Sequence, residues 1–207
     1  QVLKSGGRVF GTMISVSRNP KWIPCMEGIG LDYVVIDTEH NYRSRGELGD
    51  FLTMFNTTGV VPIVRIPIPE SHYVTMALDA GAQGVLAPYC ETVDQVKEVV
   101  GAAKWRPLKG EAVRRVVDSG DHSSEASREY LENRNKNNIA IIGIESQAGV
   151  DKLEEMLQVS GIGGIFVGPN DMSIQLGVPD MYDEEIYKTT VKKVIDVSEA
   201  YGVPALV

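Results

Sequence analysis

The sequence predicts an α/β fold, built as one domain of alternating strands and helices. Three observations carry that expectation. Seven short runs are rich in Val and Ile and mostly lack polar alternation, the pattern of parallel strands covered on both faces. Amphipathic helical patterns lie between them, which implies βαβ units. Residues that can do chemistry recur at the spacing of one such unit: His40, Arg65 and Tyr89 are 25 and 24 residues apart, and Glu145 and Asp171 are 26 apart. Polar groups at the ends of successive buried strands are how a (β/α)8 TIM barrel assembles an active site. The expected architecture is therefore that barrel, as a single domain over residues 1–207. A full barrel typically needs about 250 residues. The last residues, Gly202-Val203-Pro204-Ala205-Leu206-Val207, read as the start of a strand, so the expectation is a barrel lacking its last strand and helix.

In chain order, strands are expected at 9–15, 33–37, 61–66, 84–88, 139–145, 164–167 and 203–207. The clearest helices are expected at 71–80, 92–103, 149–159 and 184–201. In the last of these, Ile186, Val191, Val194, Ile195 and Val197 form an apolar stripe, and Lys188, Lys192 and Lys193 supply charge. The step from Tyr89 to Glu145 is 56 residues, too long for one unit. An insertion is therefore expected at about 105–138, rich in Arg, Ser, Asp and Asn, as a long active-site loop or a short extra helix.

The formal charge of -8 argues against nucleic acid or an anionic membrane as partner. The basic cluster at Lys104, Arg106, Lys109, Arg114 and Arg115 reads as a solvated loop, and His72 and His122 as surface residues. No apolar run approaches the roughly 18 residues of a membrane helix. Cys25 and Cys90 make neither a disulfide framework nor a metal spacing, so a reducing, cytoplasmic setting is expected.

Glu145 and Asp171 each follow a strand and should be neighbours on one rim. Carboxylate oxygens suit hard cations such as Mg²⁺ or Mn²⁺. The same spacing also fits two solvated rim acids. Gly168-Pro169-Asn170-Asp171 precedes the start of a helix, whose free N–H groups could hold a carboxylate. An ordinary βα turn uses the same residue types. His40 follows Asp37 and Glu39, and a histidine beside carboxylates can act as a base near neutral pH or serve as a structural hydrogen-bonding group. Arg65 ends the apolar run Val-Pro-Ile-Val-Arg, where an unpaired guanidinium is unfavourable. It could pair a carboxylate or stabilise a developing enolate oxygen. Asp79 closes a helix at the end disfavoured for negative charge, so it either has a partner, such as a histidine, or stands exposed in the last turn. A G-x-S-x-G elbow, a phosphate-binding P-loop and a strand-end lysine are all missing from these segments.

Taken together, Asp37-Thr38-Glu39-His40, Pro62-Ile63-Val64-Arg65, Leu78-Asp79-Ala80-Gly81-Ala82, Ile144-Glu145 and Gly168-Pro169-Asn170-Asp171 resemble the HpcH/HpaI family in order and spacing. These are class II, divalent-metal-dependent 2-keto acid aldolases. The resemblance implies that Glu145 and Asp171 bind Mg²⁺, Mn²⁺ or Co²⁺, and that a small 2-keto acid chelates the ion. It implies that Gly168, Pro169, Asn170 and Asp171 hold the substrate carboxylate through backbone N–H groups, and that Arg65 neutralises the enolate. His40 would be the general base through a metal-bound water. Asp79 of a neighbouring subunit would orient His40, and Asp37 would support the network. A homo-oligomer is implied, a hexamer of paired subunits with exchanged C-terminal helices. The expected reaction is reversible cleavage of a 4-hydroxy-2-keto acid to pyruvate and an aldehyde. The rivals are oxaloacetate decarboxylation, as in macrophomate synthase, a citrate lyase β-subunit-like acyl-CoA lyase without the basic CoA surface, and a non-catalytic barrel that binds a metal and a keto acid. Three departures stand out: Gly143 replaces the Gln of many members, Met13 replaces the Trp of some, and 106–113 lacks the usual second glycine-rich stretch.

Overall fold

A computed structural model describes Val2 and residues 7–207. Seven strands form one sheet in strictly sequential order, every pair parallel: β1 (Gly11–Ile14), β2 (Tyr33–Asp37), β3 (Val61–Arg65), β4 (Gly84–Ala87), β5 (Ile139–Ile144), β6 (Gly164–Val167) and β7 (Ala205–Leu206). β1 and β7 are its two edges, so the sheet is a seven-stranded half-barrel. The helices are α1 (Arg45–Phe55), α2 (Ser71–Asp79), α3 (Val93–Lys104), α4 (Gly110–Ser119), α5 (Glu125–Asn135), α6 (Gln147–Leu157), α7 (Pro169–Gln175) and α8 (Glu185–Ala200). Among the described residues no helix is long and apolar enough to cross a membrane.

Local chemistry starts the helices. Ser44 and Thr92 each close a capping box, with Glu47 and Gln95 respectively, and Ser146 accepts the Gly149 N–H at 3.1 Å. This last cap explains why α6 begins two residues before its apolar periodicity does. β4 stops at Ala87 because Pro88 has no N–H to give the ladder.

The alternation of strand side chains separates two apolar layers. Val34, Ile36, Val64, Val85, Ala87, Ile142, Ile144 and Ile165 pack under the helices. Val35, Ile63, Leu86 and Ile141 form a second cluster on the opposite face, with Phe166 against it. Counting onward in twos from that second layer leads to Asp37, Arg65, Gly143 and Glu145. The polar set therefore lies on the concave face for the same reason its apolar neighbours do.

The insertion differs from expectation. Residues 105–138 hold two helices, α4 and α5, rather than an active-site loop or one short helix. They also sit at the wrong edge for an active site. They join the end of α3 to the start of β5, so topology puts them where strands begin, packed outside α3. Lys104 Nζ bonds Asn138 O, and Asn138 Nδ2 donates to Ala103 O at 2.9 Å, which ties the two ends of the insertion together. Of the basic residues read as a loop, Lys104 ends α3, Arg106 lies in the turn after it, Lys109 caps α4, and Arg114 and Arg115 lie within α4. His122 is half-buried, its ring edge-on to Trp105 at 4.9 Å, whereas His72 is exposed as expected.

Candidate active site

The site is built at the strand ends of β2 to β6. Asp37, the last residue of β2, is 1% exposed. Its Oδ1 accepts Arg65 Nε at 2.9 Å and the N–H groups of Glu39 at 3.1 Å and His40 at 3.4 Å. Its Oδ2 accepts Asn41 Nδ2 at 2.6 Å. Burial pushes the Asp37 carboxyl up, but the hydrogen bonds and charge of Arg65, with Asn41 and the Glu39 N–H, outweigh it and leave the carboxyl below its ordinary range.

Arg65 is the hub. Asp37 and Arg65 are register partners, and Arg65 O accepts both the Thr38 N–H at 3.0 Å and the Thr38 hydroxyl at 2.6 Å. The guanidinium reaches a second carboxylate, Glu39 Oε2, at 3.1 Å from Nη1. Burial opposes its charge, but Asp37, Glu39 and then Glu145 more than compensate and hold it protonated. His40 stands just outside, 64% exposed, with Nε2 3.6 Å from Glu39 Oε2.

Glu145 follows β5 and is 4% exposed. A backbone hydrogen bond from Tyr89 reaches its carboxylate, while Oε1 is buried without a hydrogen-bond partner. Burial, and then the charges of Glu39 and Asp171, push its pKa up to about 7. Two glycines make room for it. A Cβ on Gly168 would lie 2.6 Å from Glu145 Cγ, and one on Gly143 would lie 3.0 Å from Oε1 and 2.8 Å from Ala87 O. Next door, Ser146 donates to Glu91 at 2.6 Å. Asp171 lies exposed in the first turn of α7, behind Gly168 and Pro169. The first-turn N–H groups of Asn170 and Asp171 have no acceptor within the helix. The Asn170 side chain accepts the Tyr182 hydroxyl at 2.7 Å.

This donor set fits a divalent cation. A buried, unpartnered carboxylate oxygen facing two further acids is the environment that hard cations relieve. Among the described residues no three His, Cys, Asp or Glu side chains gather as a complete shell, so Glu145 and Asp171 could supply two ligands and leave the remainder to substrate and water. One expected outcome tests the electrostatics alone. With EDTA present at pH 8, Glu145→Gln should raise stability by on the order of 2 kcal/mol, since the buried repelled charge is gone. Mg²⁺ or Mn²⁺ should raise the melting temperature of the wild type and leave the variant unmoved. A metal-free variant that melts below wild type would contradict this account.

A sequence model of the HpcH/HpaI aldolase/citrate lyase family matches residues 12–207. The chain belongs to that family. This HpcH/HpaI chain is 27% identical over 207 residues to the hydroxypyruvate/pyruvate aldolase of Roseobacter denitrificans, an alignment covering 97% of the chain and 79% of that protein. It is 29% identical over 181 residues to the 2-keto-3-deoxy-L-rhamnonate aldolase of Shigella dysenteriae, covering 84% of the chain and 66% of that protein. The crystal structure of an HpcH/HpaI aldolase from Desulfitobacterium hafniense superposes with a TM-score of 0.83 at 27% identity, covering 98% of this chain and 78% of that one.

The expected site residues do not all meet. Asp37, His40, Arg65, Glu145 and the 168–171 turn share one edge of the sheet. Asp79 does not join them. It ends α2 at the opposite edge, 60% exposed and 3.4 Å from Arg106, so within one chain it cannot orient His40. The carboxylate beside His40 is that of Glu39, 3.6 Å away. Glu39 lies in the bend just after β2, where its own N–H turns back onto Asp37 Oδ1. Asn41 and the Tyr89 backbone carried no signal in the sequence.

Proposed function

We propose that this HpcH/HpaI chain is a divalent-metal-dependent aldolase that cleaves a 4-hydroxy-2-keto acid to pyruvate and an aldehyde, reversibly. The observation that carries the reading is Arg65, fixed between Asp37 and Glu39 on the same rim as the buried, cation-seeking Glu145. The aldolase names of its relatives support the reaction class.

Bound by Glu145 and Asp171, a divalent ion such as Mg²⁺, Mn²⁺ or Co²⁺ supplies Lewis acidity at the keto group. The chain's own residues do the rest. His40, exposed at the rim and backed by Glu39, accepts the proton of the C4 hydroxyl, directly or through one water. The oxygen's electron pair forms the aldehyde carbonyl as the C3–C4 bond breaks. The bonding pair passes to C3 and spreads onto the C2 oxygen, where Arg65 stabilises the growing charge. Protonation at C3 then gives pyruvate. The first-turn N–H groups at Asn170 and Asp171, opened by Gly168 and Pro169, receive the substrate carboxylate.

The proposal extends to a homo-oligomer, a hexamer of paired subunits. Asp79 lies at the edge opposite His40, so it serves a histidine only if that histidine belongs to another copy. A reducing, cytoplasmic setting agrees with two free cysteines.

The test is pyruvate release from 4-hydroxy-2-keto acids and from oxaloacetate, with Mg²⁺, Mn²⁺ or Co²⁺ and with EDTA. Metal-dependent release from the hydroxy acids is expected, and His40→Ala should slow it by about 100-fold to 10,000-fold. Release from oxaloacetate alone makes the enzyme a decarboxylase. Equal, near-zero rates for wild type and variant leave a binding protein.

A further inference from the structure

Tyr89 sits where β4 runs out, between β3 with Arg65 and β5 with Glu145. Its φ is +33°, a region that bulky L residues rarely enter. Such a conformation persists only where its surroundings over-determine it. Here they do. The Cys90 N–H donates to Gly143 O at 2.9 Å, and the backbone of Ala87 and Pro88 lies so close over Gly143 that a Cβ there would meet it at 2.8 and 3.0 Å. The turn aims the Tyr89 N–H at the Glu145 carboxylate.

That hydrogen bond explains the backbone but not the side chain. Glycine would present the same N–H at positive φ without strain. Core packing does not explain it either, because the residue is 37% exposed at the rim. The phenol lies within reach of the charges of Glu39, Glu145 and Glu70 at the rim, and a phenol hydroxyl can donate a hydrogen bond there. An anionic keto acid entering this mouth meets many acceptors and, in Arg65, one cation already engaged by two carboxylates.

We propose that Tyr89 is a substrate-binding residue whose hydroxyl donates a hydrogen bond to an oxygen of the keto acid held between Arg65 and Glu145, aimed there by the strained turn after β4. This rests on the aldolase reading above and adds a residue to it.

The test compares wild type, Tyr89→Phe and Tyr89→Gly, full chain and Mg²⁺-loaded, by calorimetric titration with pyruvate and by steady-state kinetics. Tyr89→Phe retains ring, turn and N–H. It should weaken pyruvate binding and raise KM for the hydroxy-keto acid by about tenfold or more, with the melting temperature unchanged. Tyr89→Gly should lose the same affinity while melting no lower than wild type. Tyr89→Phe that binds pyruvate as tightly as wild type overturns the proposal, even if the enzyme is a good aldolase. Wild type that binds pyruvate through Tyr89 but releases none from any substrate keeps this contact and overturns the aldolase reading. Wild type that neither binds nor releases pyruvate overturns both.

Discussion

Arg65→Ala is expected to destabilise the protein by about 3–5 kcal/mol, because it removes one partner of a buried charge network. Asp37 is 1% exposed and would keep only Asn41 and backbone donors, and Glu39 would lose its partner 3.1 Å away. The pH dependence identifies the cause. In the wild type Asp37 titrates below its ordinary range, so its contribution is present at neutral pH and is lost as pH falls through that lowered value. Without Arg65, burial becomes the dominant influence and Asp37 titrates above its ordinary range. The folded variant then binds protons that the unfolded chain has already released, and its stability falls as pH rises from acid toward neutral. Urea midpoints across pH 4 to 7 should therefore diverge, with the gap to wild type widest at neutral pH. A constant gap would assign the loss to packing rather than charge. Activity should fall about 100-fold to 1,000-fold as well, as when a donor to a developing oxyanion is deleted.

Gly168→Ala should abolish most activity with far less effect on folding. The residue has φ -78°, a conformation alanine adopts freely, so the backbone raises no objection. The obstacle is Glu145, with Cγ 2.6 Å and Cδ 2.7 Å from where the methyl group would stand. Glu145 is held on its other side by the narrow gap over Gly143, so it must swing out of place. Displacement of a reacting group by about 1 Å can cost about 100-fold in rate. Overpacking of this kind typically costs about 1–3 kcal/mol. Metal affinity, read as the melting shift with Mn²⁺, should drop in parallel with turnover. A variant with wild-type turnover and wild-type metal response would show that Glu145 does not occupy the crowded position described.

The strands were legible because each is a compact Val- and Ile-rich run that only a two-sided burial explains, and β2 and β6 begin and end where those runs do. The candidate edge was legible because the strand-helix period lines up His40, Arg65, Tyr89, Glu145 and Asp171. Residues acting through another strand's backbone were not. Gly143 reads as a missing side chain until Ala87 and Pro88 are seen to occupy that space. Tyr89 reads as one more aromatic, because no local pattern encodes a positive φ outside glycine. The insertion was recognised from spacing, but composition alone cannot say whether a polar stretch crowns the site or hangs beneath it. The basic residues of α4 misled for the same reason. Asp79 stands exposed in the last turn of its helix, the plainer of its two readings, with Arg106 of the insertion 3.4 Å away.

The alternation that puts Asp37, Arg65 and Glu145 on one face has a consequence for how such a chain can change length. Adding or deleting a single residue inside β2, β3 or β5 turns the acids and the guanidinium under the helices and brings Ile36, Val64 or Ile144 into the mouth. Those strands tolerate substitution and refuse frame changes. The stretch between Lys104 and Asn138 obeys the opposite rule. It begins and ends at the far edge, its ends tied to each other, so whole helices can be gained or lost there without disturbing Asp37, Arg65 or Glu145. Length variation in this fold should therefore be confined to one side of the sheet, leaving the other in register.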